Sequence, residues 1–202
     1  NTKSSSIEFI YSTEILKEFV VFNNSDNFSP VSIEIISNQN LHGSQPTDFI
    51  IVTHPKFIQA ANRLAQHHIQ KNNTSVLVAS TEQVYNEFGS GSQDITAIRN
   101  FVKMFYDRAQ SDEEKPKNIL LFGDASFDYK NKINGLSNFV PTFETIVSNN
   151  IQSSFCTDDY FAALDDTDGA WNGGSNNSIY TDKLDIGVGR IPVNTLTDAN
   201  LF

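Results

Sequence analysis

The chain has 202 residues, enough for one good-sized domain or a domain with a small appendage, and its 39% hydrophobic content with 16 Phe provides for a proper core. Fourteen basic against 24 acidic residues leave a formal charge of −10, which argues against a nucleic-acid partner and suits divalent cations, calcium above all. One cysteine, Cys156, excludes an internal disulfide and a cysteine-based zinc site, and no apolar run approaches the ~20 residues that cross a bilayer.

Residues 1–46 differ in texture from the rest. Ile7–Tyr11, Lys17–Phe22 and Val31–Ile36 are short β-branched and aromatic runs parted by Asn, Ser and Pro, and they read as strands of a β-rich lead-in. Asn38-Gln-Asn-Leu-His-Gly43 is a turn-rich hinge. From residue 47 to 202 the pattern becomes strand, helix, strand, helix. Phe49–Val52 is an apolar strand, and Pro55 suits the first position of a helix whose Phe57, Ile58, Ala61, Leu64, Ala65 and His68 recur at helical spacing. Ser75–Ala79 is the second strand. Ser80 with Gln83 forms a capping box opening a short helix to Phe88. Asp94 caps a longer helix carrying the stripe Ile95, Ile98, Phe101, Val102 and Phe105.

Ile119–Phe122 is a solid apolar strand that stops at Gly123-Asp124, and Leu184–Val188 reads as the fourth strand, with Asp185 inside it. Between them, 129–182 is a long excursion of little regular structure. Solid apolar strands alternating with helices define an α/β fold with a doubly wound parallel sheet of about four strands. The first residue is not Met, and the last few, Ala199 to Phe202, read as the start of a helix, so the chain reads as a piece of a longer protein. The lack of a targeting signal then carries no information.

The candidate sites are unequal. Gly89-Ser-Gly91 follows a helix rather than a strand and has no Lys, so it reads as a connector and not a phosphate cradle. Cys156 has no nearby His and several aspartates close downstream, the wrong setting for a nucleophile. His42, His54, His67 and His68 have no partner at metal-ligand spacing. Asp124, Asp128, Asp158, Asp159, Asp165, Asp166, Asp168, Asp182 and Asp185 gather at strand ends and in the loop between them. Asp favours turns anyway, but a carboxylate within an apolar strand, as expected for Asp185, is costly unless partnered, and a bound cation would supply the partner. The loop is no EF-hand: Trp171 stands where Gly is needed if Asp166 is position one. Any calcium site must therefore join separate loops.

Several segments carry a resemblance. Asn38–Gly43, Ile50-Ile-Val-Thr-His-Pro55, Val84-Tyr-Asn-Glu-Phe-Gly-Ser-Gly91, Asp94–Arg99, Leu120-Leu-Phe-Gly-Asp124, Thr157-Asp-Asp-Tyr-Phe161 and Gly189-Arg-Ile-Pro192 resemble the gingipain-type cysteine peptidases, in particular the branch that acts as a sortase in type IX secretion. The resemblance runs from about Asn38 to the end. It implies a caspase-like (Rossmann-like) unit of two α/β subdomains, of which this chain is the first, with 1–46 as lead-in. The family's catalytic His and Cys lie beyond the Gly-Arg-Ile-Pro strand, so the resemblance implies no catalytic residue here and an inactive fragment.

It further implies Ca2+ held by Asp124, Asp166, Asp168 and Asp185, with the choice among Asp165, Asp166 and Asp168 open. Implied partners are the catalytic subdomain of the same parent chain, secreted cargo proteins with C-terminal signals, and other secretion-system proteins. The implied location is the outer membrane or cell surface of a Gram-negative bacterium, the fragment itself being soluble. A calcium-dependent binding or scaffold module is the competing expectation, and a flavodoxin-like nucleotide domain a third.

Overall fold

The computed structural model describes residues 10–12, 14, 18–19, 29, 35–130, 132–133, 135, 137–145, 154–168 and 183–202. The three lead-in strands expected before residue 37 fall largely outside these, as do Asp182 and the end of the acidic loop. By contacts the chain divides between Asn38 and Gln39. Residues 39–46 therefore go with the second unit, although their turn-rich sequence groups them with the lead-in. A local cause is visible: Gln39, Leu41 and His42 all donate to the carboxylate of Glu87.

The second unit is built on a four-stranded sheet of order β2-β1-β3-β6, every pair parallel. Its strands are β1 (Phe49–Thr53), β2 (Val76–Ser80), β3 (Asn118–Phe122) and β6 (Gly187–Ile191). The apolar runs of β1 and β3 put them at the centre, where Ile50, Ile51, Val52, Leu121 and Phe122 are wholly buried. Alternate residues face opposite sides. Ile50, Val52, Ile119 and Leu121 pack with helices α2 (Thr81–Phe88) and α3 (Ile95–Arg108), while Ile51 and Phe122 pack with α1 (Ile58–Asn72). Helices on both faces make the fold the doubly wound α/β layer expected.

Local signals act as written. The first turn after β1 is a 3-10 helix, Pro55–Phe57, leading into α1. Ser80 and Gln83 form the reciprocal capping box of α2, and Asp94 accepts from the Thr96 N–H to cap α3. The α3 stripe is buried at Ile98, Phe101, Val102 and Phe105. Within the excursion, β4 (Phe143–Glu144) and β5 (Cys156–Thr157) form an antiparallel pair, followed by a 3-10 turn at Asp159–Phe161. The last helix, α4, spans Leu196–Ala199.

The fourth strand is displaced from its expected place. It begins at Gly187 rather than Leu184, and it is a half-exposed edge rather than a strand buried on both faces. The cause is local: the Asp185 N–H donates to the Ala162 carbonyl, and its carboxylate accepts from Leu164 and Asp165. Those bonds tie Asp185 to the acidic loop. The sheet ladder starts two residues later.

Candidate functional site

This displacement decides where the aspartates lie. Register pairs Asn118 with Gly187 and Phe122 with Ile191. Asp124 therefore lies past the carboxyl end of β3 and Asp185 before the amino end of β6, at opposite ends of the sheet. The five-residue strand between them is roughly 16 Å long. Asp124 and Asp185 do not share a site, and the expected set of Asp124, Asp166, Asp168 and Asp185 does not assemble.

A different set does. Asp165, Asp168 and Asp185 each place a carboxylate oxygen within 4.8 Å of the other two. Asp165 is exposed, and the other two are half-buried. The loop is folded onto α3 by two cations. Arg99 donates to the Ala163 carbonyl at 2.8 Å and lies over the Tyr160 ring, and Lys103 donates to the Leu164 carbonyl at 2.7 Å. Lys103 also takes Asp166 as an ion-pair partner at 3.0 Å, so Asp166 stands apart at 93% side-chain exposure. Burial lowers the Lys103 pKa, but its bonds to Asp107 and Asp166 outweigh this and raise it overall.

The Asp185 carboxylate accepts from the Leu164 and Asp165 N–H groups, the Asp168 carboxylate accepts from the Asp165 N–H, and the Tyr106 hydroxyl donates to Asp165 and Asp185 at 3.4 and 3.3 Å. Burial, then the charges of Asp185 and Asp165, push the Tyr106 phenol up and keep it a donor. A carboxylate offers about four lone-pair positions, so accepting these bonds leaves acceptor capacity in hand. Three clustered carboxylates offer oxygen donors of the kind a calcium ion takes. They do not match a zinc site, which draws mainly on nitrogen or sulfur.

The remaining aspartates have other work. Asp124 caps its own turn, its carboxylate accepting from Ala125 and its carbonyl from Phe139 and Val140. Asp128 is buried and accepts from the Ile133 N–H. Asp159 begins the 3-10 turn. Asp158 pairs with Arg190, at the carboxyl end of the sheet.

Arg190 is the residue that sequence reasoning noted only as part of a motif. Its Nε and Nη2 both reach Asp158 at 2.7 Å. Nη1 donates to the carbonyls of Gly123 and Val140, and Nη2 also to that of Pro141. A guanidinium has five N–H donors, and all five are used. One side chain on β6 thus fixes the turn after β3, the 139–141 segment and the 157–161 turn. An arginine within a strand, with an acidic Thr-Asp-Asp motif upstream, was the available signal.

The switch point of this strand order lies between β1 and β3, where open α/β sheets bind ligands. Here it is filled. Phe139 sits edge-on to His54 and Phe57, with ring centroids 5.1 and 4.8 Å away, under the Lys56 ammonium. A Cβ on Gly123 would come within 2.8 Å of Val140, so glycine is what lets this plug close. His54 caps the 3-10 turn through Nδ1, and burial lowers its pKa. His42 is bonded to Glu87 at 2.6 Å and stacks on Phe88; His68 bonds Asn72. The Cys156 thiol is pushed up by burial and by the charges of Glu144 and Asp158. No nucleophile–base pair is formed among the described residues.

The chain belongs to Peptidase family C25, the gingipain family, whose model matches residues 42–202. Among solved structures it is similar to dimeric latent PorU from Porphyromonas gingivalis, at 38% identity over 82% of this chain with a TM-score of 0.67. The match covers 16% of that PorU chain. No curated protein sequence matches. No helix among the described residues is long and apolar enough to cross a membrane.

Proposed function

We propose that this chain is the first, non-catalytic α/β subdomain of a secretion-linked C25 cysteine endopeptidase of the sortase type. The observation that carries the reading is the family match over 42–202 joined to the PorU likeness. The chemistry of the chain supports it: Cys156 is held as a thiol, His42 and His54 are engaged elsewhere, and the switch-point crevice is closed by Phe139. The catalytic Cys and His belong to a second subdomain of the same parent chain, against which this one packs. In that parent, a thiolate attacks a peptide carbonyl, His protonates the leaving amine, and the acyl-enzyme passes to water or an acceptor amine. Its substrates are secreted cargo proteins with C-terminal signals, processed with other secretion-system proteins at the outer membrane or cell surface.

Asp165, Asp168 and Asp185 would hold Ca2+, which supplies charge balance and fixes the loop rather than taking part in peptide cleavage. Peptide hydrolysis assays on the chain alone test the reading. No turnover is expected, and hydrolysis abolished by Cys156→Ala refutes it.

The clustering of those three carboxylates also favours a second reading, a calcium-dependent binding or scaffold module. Both readings bind the ion, so calorimetry with a macromolecular partner in the presence of CaCl2 separates the two. A module binds the ion and a macromolecular partner with no other subdomain present, whereas the peptidase subdomain needs the catalytic half to act.

A further inference from the structure

Residues 39–47 run up to β1, and their first part is fastened to α2 rather than to the sheet. Leu41, in a 3-10 turn at Leu41–Gly43, is their one buried hydrophobic side chain. The Glu87 carboxylate on α2 gathers the rest. Gln39 Nε2 and the Leu41 and His42 N–H groups donate to it, and His42 Nδ1 lies 2.6 Å from it. The His42 ring stacks on Phe88 with centroids 4.3 Å apart. The other ties are single: Gln39 to the Gln83 carbonyl, Asn86 to Gln39, and Arg108 to the His42 carbonyl.

The far end of the segment is held differently. Asp48 donates its N–H to Ser75 Oγ, and its carboxylate accepts from the Ser75 N–H and hydroxyl. Its carbonyl accepts from the Lys117 and Asn118 N–H groups. Asp48 is thus fixed to the starts of both strands that flank β1. Just before it sits an uncompensated cost. Thr47 is 6% exposed, and its Oγ1 is sealed from solvent with no hydrogen-bond partner. A hydroxyl buried in this way opposes the closed form, because water satisfies it once the segment lifts.

We propose that residues 39–47 are a strap that unlatches from α2 as one unit while the sheet stays folded, with Glu87 as its catch and Asp48 as its fixed end. Openings below the global stability belong to segments with few buried apolar contacts, and here Leu41 stands alone. Closed, the strap moves with the sheet, and the chain divides between Asn38 and Gln39. Open, residues 39–47 join the tether to residues 1–38 and add roughly 30 Å to its extended reach. One carboxylate thereby sets the length of the link between the two units. The inference does not rest on the peptidase reading or on the calcium site.

Native-state hydrogen exchange of the whole chain, followed by NMR at several urea concentrations, tests it. The Leu41, His42, Gly43 and Ser44 amides should share one protection level, about tenfold or more below that of Ile51 and Leu121 and nearly independent of urea. The Gly43 and Ser44 N–H groups bond to Asn40 and Leu41, not to Glu87, so they report on the strap rather than on the catch. Glu87→Gln should lower the protection of all four by about tenfold, as loss of a charge-assisted bond does. Thr47→Val removes the stranded hydroxyl and should raise it several-fold, the opposite sign. That variant and the wild-type measurement remain decisive if the Glu87 variant does not fold. Three outcomes overturn the proposal: strap amides as well protected as those of the strands, a Glu87→Gln effect confined to Leu41 and His42, or protection in Thr47→Val that is unchanged or lower.

Discussion

The two ends of this sheet treat their aspartates in opposite ways. At the carboxyl end, Asp158 is answered by Arg190, 13% exposed, with every guanidinium donor placed. At the amino end, Asp165, Asp168 and Asp185 crowd within 4.8 Å of one another, while Arg99 and Lys103 hold the loop's carbonyls and Asp166. The first arrangement is self-sufficient and stiffens the fold. The second holds like charges together, which favours an added cation. Similar residues at strand ends thus serve as a latch in one place and as prospective ligands in the other.

The sharpest way to break that contrast is Arg190→Ala. It strips the partner from a mostly buried carboxylate and donors from three carbonyls, so a loss of about 3–5 kcal/mol is expected by urea unfolding. Phe101→Ala, in the α3 stripe between the ends, should cost about the same, 3–5 kcal/mol, by emptying the core, yet leave calcium affinity alone. Calcium should stabilise the chain by about 2.7 kcal/mol at a hundredfold excess over Kd. That gain should vanish in Asp185→Asn, as read by thermal unfolding with and without the ion.

Glu87→Gln should cost about 1–3 kcal/mol at neutral pH. Burial raises the Glu87 pKa, but bonds from Leu41, His42 and Gln39 outweigh this and bring it to about 2 from 4.5. Its folded pKa being depressed, the contribution is complete above about pH 4.5 and fades toward pH 2. The wild-type and variant unfolding midpoints should therefore converge on acidification. Smallest is Asp166→Asn, at roughly 0.5 kcal/mol or less for so exposed a pair. It should leave calcium binding intact, and a large loss of affinity there would return Asp166 to the ligand set.

Much of the layer was legible because β1 and β3 are unbroken apolar runs and because Ser80, Gln83 and Asp94 write their helix starts in side-chain chemistry. The edge strand was not. Leu184-Asp-Ile-Gly-Val-Gly-Arg-Ile alternates over more residues than the ladder uses, and a period of two does not say where pairing begins. Three residues of slippage carried Asp185 from inside a strand to the loop before it, and so to the far end of the sheet from Asp124. The choice of Asp165 over Asp166 depends on which way Lys103 reaches from α3, a tertiary fact with no local signature. The plug at Phe139 was equally hidden, since it lies in a stretch without periodicity.

Strand β1 pairs on one side with residues 76–80 and on the other with 118–122. During synthesis at ~5–20 residues per second, the Ile-Ile-Val ribbon leaves the ribosome seconds before β3 exists to flank it. Side-by-side strands of one direction also need long loops closed first, which makes for slow folding. The newborn chain therefore carries its stickiest segment bare for that interval, and holdase chaperones have their clearest target there.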